Sequence, residues 1–243
     1  MSGTVSVVVP ALNEESTVGG VVEACLQSCA DEVIVVDSDS ADDTTRVAGA
    51  AGARVFNWRE IAPAIAVRPG KGEALWRGVK VARGEVVVFL DADVTSLEPT
   101  WVDRLAKPLD DPTIHLVKAD YCRGIDGAAT GGGRVTELTA KPLIRALFPE
   151  LSHINQPLAG EYAIRRATAM SLPFVDGYGV EAGLLIDVSR AHGPRSIAQV
   201  ELGIRRHRNR PLKELAPMAE IVAATLLARA GVGQPVPQRE PWS

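Results

Sequence analysis

The sequence has little excess charge of either sign, no paired-cysteine motif and no long apolar run, and each shortage closes off a class of function. Lys and Arg total 26 against 30 Asp and Glu, for a net charge of −4. A nucleic-acid binder needs a basic surface to displace counterions from phosphates, so nucleic acid is not an expected partner, although a local basic pocket for one small anion fits this balance. The three cysteines, Cys25, Cys29 and Cys122, form no CxxC pair. They are expected to pack in reduced form as small hydrophobes, and the lack of a disulfide framework points to the cytoplasm. The opening stretch MSGTVSVVVP lacks the basic n-region of a signal peptide and starts directly as a strand. No apolar run approaches the ~20 residues of a membrane span, so no membrane association is expected. Neither an internal repeat nor a linker rich enough to separate two independent domains is present.

What is there is an alternation of strand and helix signals over the first part of 243 residues. VSVVVP (Val5 to Pro10), EVIVVDS (Glu32 to Ser38), ARVFNW, EVVVFL and IHLVKADY read as strands. Between them, Glu15 to Cys29, Ala41 to Ala51 and Lys71 to Ala82 have helical spacing, with Ser40 as the expected cap of the second. Continuous β-branched runs mean strands covered on both faces. Strand–helix–strand order then predicts an α/β fold with a mostly parallel central sheet flanked by helices. Ligands of such sheets sit outside the carboxyl ends of the strands, and three strands end there in polar residues: PALNEE, DSDS and DADV. The second half offers a glycine turn feeding a helix (ATGGGRVTELTAKPLIRALFP), a strand in QPLAGEYAIRR, a turn and helix in GYGVEAGLLIDVSRAHG, and a strand in SIAQVELGIRRHRNR that ends in a basic cluster. A C-terminal helix carries Pro217 in its early part, and the proline-containing tail, residues 231–243, is expected to be loose. The chain reads as a single domain over 1–230, with one half over 1–125 and a second over 126–230.

Two segments carry chemistry by residue type. Asp91 and Asp93 in EVVVFLDADV lie on one side of an extended chain and repel each other unless a cation sits beside them. That suits a hard divalent ion such as Mg²⁺ or Mn²⁺; two solvated loop acids, or a helix cap, would also account for the pattern. In ATGGGRVTEL, glycines ahead of a helix can form a nest of N–H groups at the positive end of its dipole. Arg134 adds a planar fork for phosphate or carboxylate, and Thr136 a hydroxyl. The alternative there is a turn that merely caps a helix. No GK[ST] follows, so it is not a Walker loop.

Taken together, VVVPALNEE, VIVVDSDSADDT, RPGKGEALWRG, VVFLDAD, TGGGRVTEL, QPLAGEY, GYGVEAGLLID and RRHRNRPL resemble the glucosyl-3-phosphoglycerate synthases, retaining glycosyltransferases of the GT-A fold. The resemblance spans roughly residues 4 to 230. It implies transfer of glucose from UDP-glucose to the 2-hydroxyl of 3-phosphoglycerate with Mg²⁺ or Mn²⁺, by a homodimer. On the donor side it implies Pro10, Ala11, Leu12, Glu14, Ser38, Lys71, Asp91, Tyr178 and Arg205. It gives the metal Asp93 and His207, the latter set among arginines that disfavour imidazolium. The acceptor would meet Gly132, Gly133, Arg134, Thr136 and Asn209. Glu181 and the backbone carbonyl of Leu158 would lie near the reacting sugar with Asp91 and Asp93, Glu181 positioning the sugar rather than attacking it. His115, His153 and His192 are expected to be structural.

Two positions depart from the family pattern: Asp39, where the family has Gly, and Ala92, where it has Ser. The chain is also shorter at both ends than mycobacterial members. Two other readings stay open on the sequence. One is a related transferase with another nucleotide-sugar donor such as GDP-mannose, or another acceptor. The other is a catalytically silent sugar-nucleotide binder.

Overall fold

The structure is a computed structural model that describes residues 3–125, 128–130, 133–205 and 212–242. The first half runs β1 (Val5–Ala11), α1 (Val18–Leu26), β2 (Glu32–Asp37), α2 (Thr44–Ala50), β3 (Arg54–Asn57), α3 (Lys71–Val81), β4 (Val86–Phe89) and α4 (Thr100–Ala106). Then come β5 (Leu116–Ile125), β6 (Ala128–Thr130), α5 (Lys141–Leu147), β7 (Tyr162–Arg165), α6 (Arg166–Ser171), β8 (Phe174–Val175), α7 (Val180–His192), β9 (Ile197–Arg205), α8 (Leu212–Arg229) and β10 (Gln238–Arg239).

The main sheet has the order β3-β2-β1-β4-β7-β5-β6, with β9 on β5. The first four strands are parallel, β7 is antiparallel to both β4 and β5, and β9 is again parallel to β5. This is the expected α/β architecture with a mostly parallel sheet. It crosses the middle of the chain without a break, because β7 pairs directly with β4.

Both faces of the sheet are covered, which is why its strands read as unbroken apolar runs. Val8, Ile34, Val36, Val87 and Phe89 face Leu75 and Val79 of α3 and the helix α7. Their strand neighbours Val7, Val9, Val33, Val35 and Val88 face Val18 and Val22 of α1 and Val102 and Leu105 of α4. The alternation follows the two-residue period of a strand.

Several details depart from the sequence reading, each for a local reason. The helix expected from Glu15 starts at Val18. The N–H groups ahead of it pair with the loop before α2 and the first residue of that helix: Asn13 N–H donates to Ser40 Oγ, Glu14 N–H to Thr44 Oγ1 and Glu15 N–H to Asp42 Oδ2. Ser40 is therefore not the cap of α2; Asp43 holds the N-cap position, and the Ser40 hydroxyl ties two strand-end loops together. The glycine turn feeds a short π-helical stretch, Thr136–Ala140, before α5.

The tail expected to be loose is docked. β10 pairs antiparallel with β8. Trp242 stacks on Trp76 with ring centroids 3.5 Å apart and planes 13° from parallel. Trp76 donates its indole N–H to the Glu240 carbonyl and Trp242 donates its own to the Trp76 carbonyl, at 3.0 and 2.9 Å. The prolines that suggested looseness hold the chain extended, which suits a two-residue edge strand, and a stacked aromatic pair adds favourable energy beyond its area.

Helix α3 lies hard against β1 because Gly78 presents no Cβ to Val8. Ala would gain about 1 kcal/mol in helix propensity, but overpacking costs about 1–3 kcal/mol. Gly78→Ala is therefore expected to lower the urea midpoint of unfolding; an unchanged or raised midpoint would show that the helix can lift off the sheet at no cost.

Candidate active site

The carboxyl ends of β1, β2 and β4 open on one edge of the sheet, and the polar residues singled out from the sequence gather there. Asp91 follows β4 and is the hub. Its Oδ1 accepts from Lys71 Nζ at 2.5 Å and its Oδ2 from Arg205 Nη2 at 3.0 Å. Lys71 is the first residue of α3 and makes a second bridge, at 2.7 Å, to Glu181 in the first turn of α7. Arg205, the last residue of β9, reaches Asp93 at 3.5 Å and donates Nε to Glu161 Oε1 at 2.6 Å. Two cations thus hold four carboxylates, and a third, Lys118, lies buried behind them with its ammonium donated to the Ala159 carbonyl at 2.7 Å.

The electrostatics follow from burial. Asp93 is pushed above the usual carboxylate range by desolvation and then by Asp91, with Arg205 partly offsetting the rise. Burial alone would lower Lys71, but Asp91 and Glu181 outweigh it and hold the ammonium well above its ordinary value. Lys118 is brought down to about 8 by burial, against the pull of Glu181. Tyr162, whose hydroxyl is buried without a hydrogen-bond partner, is raised well above its ordinary value by burial and by Glu181.

These residues fit a divalent cation. Asp93 is a carboxylate whose ionisation burial and a like charge oppose, and a metal ion at that oxygen would relieve both. Among the described residues no group of three or more His, Cys, Asp or Glu side chains is placed to hold a metal. Asp93 with few protein partners would therefore leave coordination positions to phosphate oxygens.

The other expected residues spread around this centre. Ala11 is buried, Leu12 is exposed, and Pro10 and Glu14 are half-buried at the end of β1. Ser38 directly follows β2. Tyr178 lies exposed in the 3-10 turn Gly177–Gly179 ahead of Glu181. Leu158 packs partly buried against the core. Gly133 starts the turn into the π-helical stretch, where Arg134 is exposed and Thr136 buried. Gly132, His207 and Asn209 lie outside the described residues. Of the histidines expected to be structural, His115 and His192 stack on each other with centroids 3.6 Å apart, and exposed His153 accepts a hydrogen bond at its backbone carbonyl.

Asp39, the departure from a family glycine, has φ of 67°, the left-handed region that glycine enters without penalty and aspartate tolerates. Arg59 clamps its carboxylate through Nε and Nη2 at 2.6–3.1 Å, and Asn57 adds a bond at 3.1 Å. These hydrogen bonds, Arg59 first, hold the group down at about 2.

Sequence reasoning misses Gly160, Glu161 and Lys118. A side chain at Gly160 would run into the Asp91 carboxylate. Glu161 is fully buried and anchors Arg205. The signal that finds them is a charge within or beside an apolar strand, Lys118 in HLVKADY and Glu161 just ahead of YAIR, since such residues are rarely buried without a partner.

Comparison with known proteins agrees with this geometry. Residues 6–158 match the family profile described as Glycosyl transferase family 2. The glucosyl-3-phosphoglycerate synthase of Mycolicibacterium paratuberculosis is 50% identical over 240 residues, covering 94% of this chain and 73% of that protein. That of Mycolicibacterium smegmatis is 51% identical over 237 residues, covering 94% and 78%. The crystal structure of the Mycobacterium tuberculosis synthase in complex with Mn²⁺, UDP-glucose and phosphoglyceric acid superposes with a TM-score of 0.90 at 46% identity, covering 99% of this chain and 90% of that one.

Loss of Arg205 should be costly, because it removes the ion-pair partner of buried Glu161. Arg205→Met is expected to lower the free energy of unfolding by about 3–5 kcal/mol, read from urea denaturation; a loss below about 1 kcal/mol would mean that the cluster behaves as exposed ion pairs do.

Proposed function

This chain belongs to glycosyl transferase family 2 and, within it, to the glucosyl-3-phosphoglycerate synthases, and from that membership we propose that it moves glucose from UDP-glucose to the 2-hydroxyl of 3-phosphoglycerate. The observation that carries the reading is the Lys71–Asp91–Arg205 bridge at the carboxyl edge of the sheet. It sets two cations beside the acids where the donor's diphosphate must lie. We assign the uridine to Pro10, Ala11, Leu12, Glu14 and Ser38, and the sugar and diphosphate to Lys71, Asp91, Tyr178, Arg205 and the Leu158 carbonyl. The metal, Mn²⁺ or Mg²⁺, is assigned to Asp93 and His207. When bound, it supplies positive charge to the leaving diphosphate.

The chemistry breaks the bond between the anomeric carbon and the β-phosphate oxygen, which keeps the electron pair. The acceptor hydroxyl forms its bond on the same face and gives its proton to that leaving oxygen. Lys71 and Arg205 meet the charge that develops there, the kind of preorganised electrostatic contribution that dominates many enzymes. Glu181 is bound to Lys71 through Oε1, so its charge is engaged in holding a cation and, by hydrogen bonding, the sugar. This supports positioning over covalent attack.

The acceptor half, from residue 126, contributes Gly132, Gly133, Arg134, Thr136 and Asn209, with Arg134 as the fork for the phosphate or carboxylate. The chain works as one domain, and by family likeness as a homodimer. Cys25, a buried thiol, supports a cytoplasmic location, and no described helix is long and apolar enough to cross a membrane. Asp39 does not redirect donor choice, because its charge is already neutralised by Arg59.

The primary test is UDP release from UDP-glucose plus Mn²⁺, with and without 3-phosphoglycerate. Release that depends on the acceptor and disappears in Asp93→Ala is expected. Release that ignores 3-phosphoglycerate but answers to another small acceptor would move the function to a related transferase, and UDP binding without any turnover would leave a silent nucleotide-sugar binder. Arg134→Ala should raise the KM for 3-phosphoglycerate about tenfold or more, as loss of a charge-assisted contact predicts, with the KM for UDP-glucose little changed; a defect confined to the donor would overturn the acceptor assignment.

A further inference from the structure

Two residues along α3 from Lys71, Glu73 centres a buried charge network that the reaction does not use. Glu73 is fully buried. Arg77 donates Nε to its Oε1 at 2.7 Å, and Arg239 donates Nη2 to the same oxygen at 2.7 Å and Nε to Oε2 at 2.5 Å. Arg239 comes from β10, in the tail, 166 residues further along the chain.

The same two arginines hold the loop that leads into Lys71. Arg239 also donates to the Ala66 carbonyl, while Arg77 donates to the carbonyls of Ile61 and, at 2.7 Å, Ile65. Arg68 returns a hydrogen bond to the Gln238 carbonyl. On its other side the tail holds the turn that leads into Glu181. Gln238 and Arg239 pair with Val175 and Phe174, and the Pro237 carbonyl accepts from Asp176 N–H at 2.9 Å. These two segments touch each other: a Cβ at Gly70 would lie 2.7 Å from Gly177 Cα. The tail is thus a strap across the two segments that present the partners of one ion pair, Lys71 and Glu181.

We propose that Arg239 is a positioning residue for the donor site: through Glu73 it fixes the first turn of α3, and with it the Lys71 ammonium between Asp91 and Glu181. The inference rests on the assignment of Lys71 to the donor. A lysine carries several freely rotating bonds and is a poor locator by itself. Its accuracy must come from the backbone it springs from, and that backbone is pinned by a buried carboxylate with two arginine partners.

The test is a double-mutant cycle read as UDP-glucose affinity by calorimetry, with Mn²⁺ and without acceptor, on the full chain. Arg239→Gln is expected to weaken binding about tenfold, the lower end of what loss of one charge-assisted contact from Lys71 would cost. Lys71→Ala should weaken it at least as much, and the double variant no further than Lys71→Ala alone, since residues acting as a unit are not additive. A merely structural role predicts losses that multiply, and that result overturns the proposal. Trp242→Ala loosens the strap without stripping a buried carboxylate, and carries the same cycle if Arg239→Gln does not fold. Val22→Ala, which opens a cavity in the core on the opposite face of the sheet, is the control. Its affinity should match the unaltered chain well below its Tm, and a loss equal to that of Arg239→Gln would also overturn the proposal. Unaltered binding by Lys71→Ala would instead remove Lys71 from the donor site, and the positioning role with it.

Discussion

Asp91 accepts from Lys71 on one oxygen and from Arg205 on the other, and the geometry of the site depends on that double bridge. Two like charges about 4 Å apart repel by about 4 kcal/mol at the effective dielectric of a protein surface. A strand ending in Asp-x-Asp therefore needs cations nearby whether or not substrate is bound. Lys71 comes from the helix after β3 and Arg205 from the far end of β9, so the two acids draw together segments from opposite ends of the chain. Glu161 and Glu181 extend the arrangement by one carboxylate on each side. The result is a row of alternating charge along the edge of the sheet, with Asp93 the member least well matched. That is the position at which a divalent ion and a diphosphate would complete the balance.

The fold makes this row possible by bringing backbones close where side chains would hold them apart. Gly160 stands where any Cβ would strike the Asp91 carboxylate, and Gly70 and Gly177 allow two loops to touch so that Lys71 and Glu181 meet. Parallel strands place their carboxyl ends on one edge, and the antiparallel insertion of β7 beside β4 brings Glu161 to that same edge from the second half of the chain. The two halves are joined by backbone pairing at the site itself, where Phe89 pairs with Tyr162.

Much of this was legible in the sequence, and the rest was hidden for identifiable reasons. The strands β1, β2 and β4 announce themselves because burial on both faces demands unbroken apolar residues. The acids after them announce the edge where the site lies. Lys71 comes to the site through the likeness of RPGKGEALWRG to the family rather than through residue type alone. Glu161 and Lys118 are not visible as a pair, because what keeps them buried is spatial and no short-range pattern records it. The tail misleads for a different reason. Proline and polar residues read as disorder when the partner of Trp242 is Trp76, 166 residues away, and aromatic stacking leaves no periodic signature. Asp39 shows the limit of residue type alone. Its left-handed backbone and the Arg59 clamp make it a turn residue that stands where glycine is easier.

The positioning role proposed for Glu181 rests on the same charge accounting. A carboxylate that attacks an anomeric carbon must carry its electron density free and must sit beneath the sugar. Glu181 lies in the first turn of α7, where the helix dipole already favours its negative charge, and one of its oxygens is engaged by Lys71 at 2.7 Å. Both interactions engage the electron density that a covalent attack would need. The same ammonium also binds Asp91, so freeing Glu181 to attack would leave Lys71 held by Asp91 alone. An acid placed this way serves better as a fixed acceptor for sugar hydroxyls. In the proposed reaction the proton that the incoming acceptor loses is then left to the leaving phosphate, the base that the reaction itself creates on that face.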